Sequence, residues 1–286
     1  MKILKEINEV RQARRESAST LGLVPTMGAL HEGHLTLIKR STERCAKTMV
    51  SIFVNPTQFG PGEDFEKYPR TVEEDLKKCE SAGADYVFLP SVETIYGKTK
   101  PLVTLNVGKE LTSILCGKTR PIHFNGVVQI VSILFNLAQP NFAFFGEKDF
   151  QQLVVIKKMV EDLHFPLEIV PVPTVREENG LAKSSRNRYL SPAELELAPN
   201  IHKVMCMIQD EARKALQEGK EISVESAEKN YSDLLLSLIP GAKIDYLEIR
   251  NSSDLSRAPF INRDSRAFAA VYLGTTRLID NQFIGG

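Results

Sequence analysis

Apolar and polar positions follow two alternating periods between Leu21 and Pro173. Short runs of β-branched or aromatic residues are separated by stretches in which apolar residues recur at helical spacing, a pattern typical of a parallel sheet covered by helices. The predicted strands are Leu21–Thr26, Thr48–Val54, Tyr86–Leu89, Phe142–Phe145 and Leu167–Val172. The predicted helices are Leu35–Lys47, Val72–Ala82, Val127–Ala138 and Phe150–Leu163. We therefore predict an α/β fold with a Rossmann-like, doubly wound parallel sheet.

The pattern changes after Pro173. The turn-rich segment Arg176–Arg188 leads into long stretches of helical spacing and then into segments that alternate like antiparallel strands. The helical stretches are Pro192–Glu218 and Val224–Leu238, and the alternating segments are Lys243–Arg250, Arg266–Tyr272 and Thr276–Ile279. We predict a Rossmann-like domain over residues 1–175 and a smaller C-terminal α+β lid domain, with helices and a small antiparallel sheet, over residues 176–286.

Composition narrows the classes of function. The chain has 36 basic and 36 acidic residues, so it has no net charge that would attract nucleic acid or an acidic membrane surface. No apolar run approaches the roughly 18 residues of a membrane span, and the charged N-terminal segment lacks the apolar core of a signal peptide. The four cysteines are scattered without a Cys-x-x-Cys pair, which indicates neither structural zinc nor disulfides and fits a reducing cytoplasm.

The stretch Pro25–His34 joins a predicted strand, a Gly-containing turn and two histidines three residues apart. Residues three apart share a helix face, so a helix that begins near His31 would direct both imidazoles and its first backbone N–H groups toward one anion. Protonatable imidazoles there can meet charge that grows on a nucleotide during reaction. A metal pair and a buried structural pair remain the alternatives, although no third metal ligand is suitably spaced.

Two further segments follow predicted strands and carry polar side chains. Asn55-Pro56-Thr57-Gln58-Phe59 offers two amides, which could bind a small polar substrate or merely cap a turn. In Gly146–Gln152, Lys148 could neutralise phosphate while Asp149 or Gln152 selects hydroxyls; a solvated helix start with an Asp cap is the alternative. Because carboxyl ends of parallel strands share one edge, we expect these segments along the same edge as Pro25–His34.

Three charged segments are more ambiguous. Lys183–Arg188 packs three cations and two hydroxyls into six residues, which suits a triphosphate but also an ordinary basic surface loop. The acidic run that ends at Asp75 is typical of a helix start, and Asp75 could also support Mg²⁺ through water. Arg120 and His123 lie together in a turn before a helix, and alone they indicate little.

The common nucleotide-binding motifs are absent. Cys116-Gly117-Lys118-Thr119 resembles the end of a Walker A loop, but Thr112 stands where its first glycine is required. No Gly-x-Gly-x-x-Gly follows a predicted strand, so the nicotinamide and flavin fingerprint is missing as well.

Five segments, taken in their order, carry a resemblance to a known family. They are Pro25-Thr26-Met27-Gly28 with His31-x-Gly-His34, Phe53-Val54-Asn55-Pro56 with Gln58-Phe59, Tyr68-Pro69-Arg70-Thr71, Phe145–Gln152 and Ser184-Ser185-Arg186-Asn187. Together they closely resemble the pantoate–β-alanine ligases, within the nucleotidyltransferases similar to class I aminoacyl-tRNA synthetases. The resemblance covers nearly the whole chain, and the segment Gly274–Asn281 also resembles the end of that family's sequences.

The resemblance implies ATP-dependent ligation of pantoate and β-alanine to pantothenate through a pantoyl adenylate, with release of AMP and pyrophosphate. It implies Mg²⁺ that arrives with the ATP phosphates, and a homodimer. The implied catalytic residues are His31, His34, Lys148 and Arg186. The implied ATP-binding residues are Met27, His31, His34, Gly146, Lys148, Asp149, Lys183, Ser184, Ser185 and Arg186. The implied pantoate-binding residues are Met27, Gln58 and Gln152.

Several positions depart from the family's pattern. Ile122 stands where Gly is common, and a β-branched side chain disfavours positive φ, so the resemblance does not fix the position of His123. Gln129 and Ile133 stand where Thr and Lys are expected, and Lys183 replaces Met or Leu. We hypothesise that Lys183 tightens ATP binding. Two other functions stay open: a nucleotidyltransferase that acts on a phosphate ester, and a non-catalytic ATP-binding sensor.

Overall fold

The computed structural model describes residues 1–17, 19–99 and 101–286. Its strands are β1 (Lys2–Leu4), β2 (Leu21–Thr26), β3 (Lys47–Ile52), β4 (Tyr86–Phe88), β5 (Phe142–Gly146), β6 (Glu168–Val172), β7 (Lys243–Asn251), β8 (Ser265–Leu273) and β9 (Thr276–Phe283). Its helices are α1 (Ile7–Glu16), α2 (Glu32–Arg44), α3 (Val72–Ser81), α4 (Val92–Tyr96), α5 (Lys109–Thr112), α6 (Leu115–Thr119), α7 (His123–Ala138), α8 (Phe150–Asp162), α9 (Pro192–Leu197), α10 (Asn200–Glu218) and α11 (Val224–Leu238). Short 3₁₀ turns span Pro56–Gln58, Glu147–Asp149 and Ser185–Tyr189.

Six parallel strands form one sheet, in the order β1-β4-β3-β2-β5-β6. The chain leaves β2 toward β3 and β4 on one side and later adds β5 and β6 on the other, so the strand order reverses between β2 and β5. In doubly wound folds, ligands bind beyond the carboxyl ends of the strands at such a reversal. The predicted α/β class and parallel sheet are confirmed.

Burial explains why the strands of this sheet were recognisable from sequence. β2 and β3 are almost entirely buried, as expected for strands covered by helices on both faces. Val24 and Val50 from these strands pack with Leu37 and Ile38 of α2 and with Phe144 of β5 in one apolar cluster. The cluster packs α2 against the sheet beside β2.

The chain divides into two compact units, residues 1–147 with 155–173 and residues 148–154 with 174–286. This division falls two residues before the predicted boundary at 175/176. It also differs from the predicted first domain, because residues 148–154 group with the second unit. Contacts within that unit show the reason: the Phe150 ring lies 5.9 Å from the Phe268 ring and 3.8 Å from the Arg266 guanidinium carbon.

The second unit has the predicted antiparallel sheet, in the order β7-β8-β9, with α10 and α11 packed against it. Its central strand β8 is buried along nearly its whole length. The stretch of helical spacing over Pro192–Glu218 contains two helices, α9 and α10. They are separated at Pro199, which has no N–H for a continuing helical bond. No helix in the described ranges is long and apolar enough to span a bilayer.

Candidate active site

The histidine pair caps the start of α2. His31 is the N-cap residue: its Nδ1 accepts the Gly33 N–H at 3.1 Å, and its own N–H donates to Nδ1 of His34 at 3.3 Å. The two rings lie with centroids 4.1 Å apart. A Cβ on Gly33 would lie 2.9 Å from Cε1 of His31, so a larger residue there would push this ring out of its present position. Gly33 thus helps to keep His31 in its capping position.

These caps restrict the tautomer of both histidines. A nitrogen that accepts a backbone N–H carries no proton, so each neutral ring holds its proton on Nε2. If Nδ1 were protonated, its N–H would face the backbone N–H whose hydrogen bond it now accepts, and that bond would be lost.

A strained turn between β2 and α2 positions His31. Gly28 and Ala29 have φ of 84° and 50°, and Ala29 is not a glycine. The Asp75 carboxylate on α3 accepts the N–H of Ala29 at 2.9 Å and that of Leu30 at 2.7 Å, while Nζ of Lys78 donates to the Leu30 carbonyl at 2.7 Å. Asp75 is 1% exposed. Its buried oxygens are engaged by the backbone, which does not fit the expected support of Mg²⁺ through water.

Two of the three residues expected to bind pantoate are in contact. Nε2 of Gln58 lies 3.1 Å from Sδ of Met27, and Oε1 of Gln58 accepts from Nδ2 of Asn55 at 3.1 Å. Gln58 lies in the 3₁₀ turn after β3 and is 7% exposed. The side chain is therefore oriented before any substrate arrives.

Asn55 is the centre of the hydrogen bonds that hold this turn. Its Oδ1 accepts from the Tyr96 hydroxyl at 2.7 Å and from Oγ1 of Thr57 at 2.9 Å, and its Nδ2 also donates to the Gly126 carbonyl at 3.0 Å. Burial raises the pKa of Tyr96, against the effect of its hydrogen bond with Thr57, so its hydroxyl stays protonated at neutral pH. A Cβ on Gly126 would lie 2.4 Å from the Thr57 carbonyl oxygen, so α7 and the turn pack backbone to backbone.

Arg120 and His123 hold the backbone of the same turn. Nδ1 of His123 lies 3.0 Å from the Gln58 carbonyl oxygen, and Arg120 donates to that oxygen at 3.4 Å. Arg120 also pairs with Glu63 at 2.6 Å. Burial raises the pKa of Glu63, but hydrogen bonds and charge from Arg120 outweigh it, and the net pKa is lowered. Ile122 has φ −97° and ψ −10°, so this position needs no positive φ and tolerates a β-branched side chain.

Gln129 and Ile133, which differ from the family's pattern, both lie on α7. Oε1 of Gln129 accepts the Leu105 N–H at 2.9 Å, and Oδ1 of Asn125, one turn earlier, accepts the Val107 N–H at 2.9 Å. The two side chains anchor an irregular segment along the helix. Ile133 is half-buried one turn beyond Gln129.

In the second unit, Lys148 lies in the 3₁₀ turn that precedes α8. Its Nζ is 3.4 Å from Oδ2 of Asp149, and its carbonyl oxygen accepts from Nδ2 of Asn281 at 3.0 Å. Gln152 is half-buried on α8. Gly146 ends β5 in the first unit, and a Cβ there would meet nothing within 4 Å, so the backbone faces open space.

The Lys183–Arg186 segment follows a short hairpin closed by the bridge between Arg176 and Ala182. Oγ of Ser184 accepts the Arg186 N–H at 3.3 Å and caps the 3₁₀ turn that begins at Ser185. Nζ of Lys183 lies 3.1 Å from a carboxylate oxygen of Glu177 across the hairpin. The extra charge of Lys183 is therefore partly neutralised.

The predicted site residues fall into two groups. The first unit contains Met27, His31, His34, Gln58 and Gly146; the second contains Lys148, Asp149, Gln152, Lys183, Ser184, Ser185 and Arg186. Within the described ranges, no group of three or more His, Cys, Asp or Glu residues could hold a metal ion. Sequence reasoning missed the clamp formed by Asp75 and the close approach at Gly126, although a glycine inside a helical stretch is a signal of such an approach.

Comparison with known proteins identifies the family of this chain. The family model described as pantoate-beta-alanine ligase matches residues 2–283. The chain belongs to the pantoate–β-alanine ligase family. Within this ligase family, pantothenate synthetase of Acinetobacter baumannii is 47% identical over 276 residues, which cover 96% of this chain and 93% of that protein. The Leptospira biflexa pantothenate synthetase is 46% identical over 270 residues, which cover 94% of this chain and 93% of that protein.

Solved structures of pantoate–β-alanine ligases share the fold. The crystal structure of pantothenate synthetase from Thermus thermophilus matches with a TM-score of 0.92 at 40% identity, covering 100% of both chains. The Francisella tularensis ligase, complexed with β-γ ATP and β-alanine, matches with a TM-score of 0.82 at 33% identity, covering 99% of this chain and 97% of that one. The resemblance recognised from the sequence motifs is confirmed.

Proposed function

We propose that this chain ligates pantoate to β-alanine at the expense of ATP, forming pantothenate, AMP and pyrophosphate. The match to the family model over residues 2–283 carries the proposal. The Francisella tularensis relative complexed with β-γ ATP and β-alanine supports the choice of nucleotide and amine.

The reaction needs two steps because a free carboxylate is a poor electrophile. In the first, a pantoate carboxylate oxygen attacks the α-phosphorus of ATP, and the bond to the bridging oxygen breaks to release pyrophosphate. In the second, the amine of β-alanine attacks the acyl carbon, loses a proton, and AMP leaves with the carboxylate oxygen. No side chain acts as a nucleophile, so catalysis consists of positioning, charge stabilisation and exclusion of water.

The histidine pair is proposed to stabilise charge at the α-phosphate. Two Nε2–H donors at the start of α2, held by backbone caps, need no rearrangement when negative charge develops. Lys148 adds positive charge, and Asp149 and the Gly146 backbone are proposed to contact the adenosine. Ser184, Ser185 and Arg186, with Lys183 beside them, are proposed to bind the β- and γ-phosphates.

Mg²⁺ is proposed to arrive with ATP as part of the substrate. The phosphate-binding candidates are imidazole, ammonium, hydroxyl and guanidinium groups, whereas Mg²⁺ prefers carboxylate and water oxygens. The donor set fits phosphate rather than a resident metal, and the buried, backbone-bonded Asp75 does not change this.

Gln58 and Gln152 are proposed to bind the hydroxyls and carboxylate of pantoate, with Met27 lining the same pocket. The orientation of Gln58 by Asn55 and Met27 supports this assignment, because a fixed amide loses little conformational freedom on binding. A homodimer is proposed from the family, and light scattering of the purified chain tests it.

The test measures pyrophosphate release from ATP in the presence of Mg²⁺ and pantoate. The assay is run with and without β-alanine, and AMP and pantothenate are quantified in both cases. Stoichiometric pantothenate and AMP only with both substrates establish the ligase, and His34→Ala should then lose most of the pyrophosphate release. Transfer of AMP to a phosphate ester would favour the nucleotidyltransferase. Binding of ATP without turnover would favour the sensor.

A further inference from the structure

Two consecutive residues of β9 have buried polar side chains that reach distant parts of the second unit. Asp280 and Asn281 are 5% and 4% exposed. Successive strand residues point to opposite faces of a sheet, so the pair can serve two different segments. Both belong to the Gly274–Asn281 motif, to which the proposed reaction gives no role.

Asn281 joins the sheet to the turn that carries Lys148. Its Nδ2 donates to the Lys148 carbonyl oxygen at 3.0 Å, and its Oδ1 accepts from Nη1 of Arg266 at 2.6 Å. The Arg266 guanidinium in turn stacks on the Phe150 ring. The turn and the start of α8 are thus held at two points by one amide and one guanidinium.

Asp280 holds the hairpin that leads into the Ser184–Arg186 segment. Its carboxylate accepts from Nη1 and Nη2 of Arg176 at 2.7 and 2.9 Å, a bidentate pair. Nη1 of Arg176 also donates to the Gly180 carbonyl at the tip of the hairpin, at 3.1 Å. The carboxylate therefore orients Arg176, and Arg176 in turn holds the Gly180 carbonyl in the turn that precedes Lys183.

We propose that Asp280 and Asn281 are positioning residues that hold two segments of the second unit, 148–150 with Lys148 and 183–187 with Lys183 and Arg186, in register for polyphosphate. Neither side chain contacts the reacting atoms. The inference rests on the proposed function, because it assigns ATP phosphates to Lys148 and to Ser184–Arg186. A displacement of about 1 Å in such groups can reduce a rate by about 100-fold.

Asn281→Asp distinguishes a positioning role of Asn281 from a packing role, because it keeps the shape of the side chain and removes only its Nδ2 donor. The new carboxylate still accepts from Arg266, but it places an oxygen against the Lys148 carbonyl where a donor stood. The matched control is Asp245→Asn, which weakens a half-buried ion pair of the same sheet, with Arg277 at 2.7 Å. Asn281→Ala, which removes both contacts without adding charge, is the second variant should Asn281→Asp fail to fold.

The measurements are the Kd of AMPPNP with Mg²⁺ and the KM values for ATP and pantoate in pyrophosphate release. We expect Asn281→Asp to raise the AMPPNP Kd and the ATP KM at least tenfold, with the pantoate KM within twofold of the wild-type value. Asp280→Asn should raise the AMPPNP Kd at least threefold and increase hydrogen exchange in residues 183–187. Asp245→Asn should leave every one of these values within twofold.

A folded Asn281→Asp or Asn281→Ala protein whose AMPPNP Kd stays within twofold of wild type overturns the proposal, as does an equal effect of Asp245→Asn. Failure of the proposed function looks different: the wild-type chain then forms no pantothenate. The Kd and hydrogen-exchange comparisons need no turnover, so they still decide whether the pair positions a polyphosphate site.

Discussion

Replacing Gly126 by alanine should damage pantoate binding more than it damages stability. A Cβ at this position would lie 2.4 Å from the Thr57 carbonyl oxygen and 2.5 Å from the Gln58 nitrogen, both of them backbone atoms. Ordinary contact begins at 3.4 Å, so the turn that carries Gln58 must retreat from α7 by about 1 Å. The hydrogen bond from Asn55 to the Gly126 carbonyl, 3.0 Å long, would stretch with it.

The two effects on stability partly cancel. Alanine in place of glycine favours a helix by about 1 kcal/mol, while overpacking of a tight contact costs about 1–3 kcal/mol. We therefore expect a loss of about 0–2 kcal/mol in the free energy of unfolding. A 1 Å shift of a substrate-binding amide can cost about 100-fold in kcat/KM, which equals about 2.7 kcal/mol of transition-state stabilisation.

The assay is pyrophosphate release at saturating ATP with varied pantoate, alongside urea unfolding of the same preparation. Asn136→Ala is the control, because this exposed position on α7 gains helix propensity without approaching the turn. It should keep wild-type kcat/KM for pantoate. A folded Gly126→Ala protein with kcat/KM for pantoate within threefold of wild type would refute the reasoning.

Three further outcomes are expected. Lys183→Met should raise the KM for ATP about threefold, a modest effect because Glu177 already pairs with Lys183; an unchanged KM contradicts the hypothesis that Lys183 tightens ATP binding. Asp75→Asn should lower the free energy of unfolding in urea by about 1–3 kcal/mol, since one backbone N–H loses its acceptor. An unchanged free energy of unfolding contradicts the proposed role of Asp75 in holding the Ala29 and Leu30 N–H groups. Burial lowers the pKa of His202 from 6.5, and Arg176 lowers it further against the opposing effect of Asp280. The unfolded chain therefore binds a proton at higher pH than the folded one, so the free energy of unfolding falls as pH decreases through 6.5. His202→Gln should reduce this pH dependence, measured as urea midpoints between pH 7.5 and 5.5. Equal pH dependence in the variant and the wild type contradicts the prediction.

The central strands β2 and β3 were predictable because burial on both faces produces continuous apolar runs. The predicted bounds of β2 agree with the observed strand, Leu21–Thr26. Apolar spacing alone placed the start of α2 at Leu35 rather than Glu32, because its first turn is defined by the caps of His31 and His34. The spacing of the two histidines had indicated a start near His31. The short edge strand β1 has too few residues to show a period.

The candidate site was predictable as a set of motifs but not as a set of contacts. The histidine pair and Gln58 stand out as polar residues after apolar strands. The partners that orient them come from other elements: Asp75 lies 46 positions after Ala29, and Gly126 lies 71 after Asn55. Chain periodicity carries no information about such pairings, because they follow from the order of strands and helices in space.

The bond between Asn281 and Lys148 spans 133 positions, and the pair of Asp280 with Arg176 spans 104. During translation at about 5–20 residues per second, the ribosome adds Asn281 roughly 7–27 s after Lys148. The caps of His31 and His34 reach no further than three residues and can form as soon as α2 has left the ribosome. A nascent chain therefore completes its histidine pair early, while the segments that contain Lys148 and Ser184–Arg186 must wait for a strand that has not yet been synthesised.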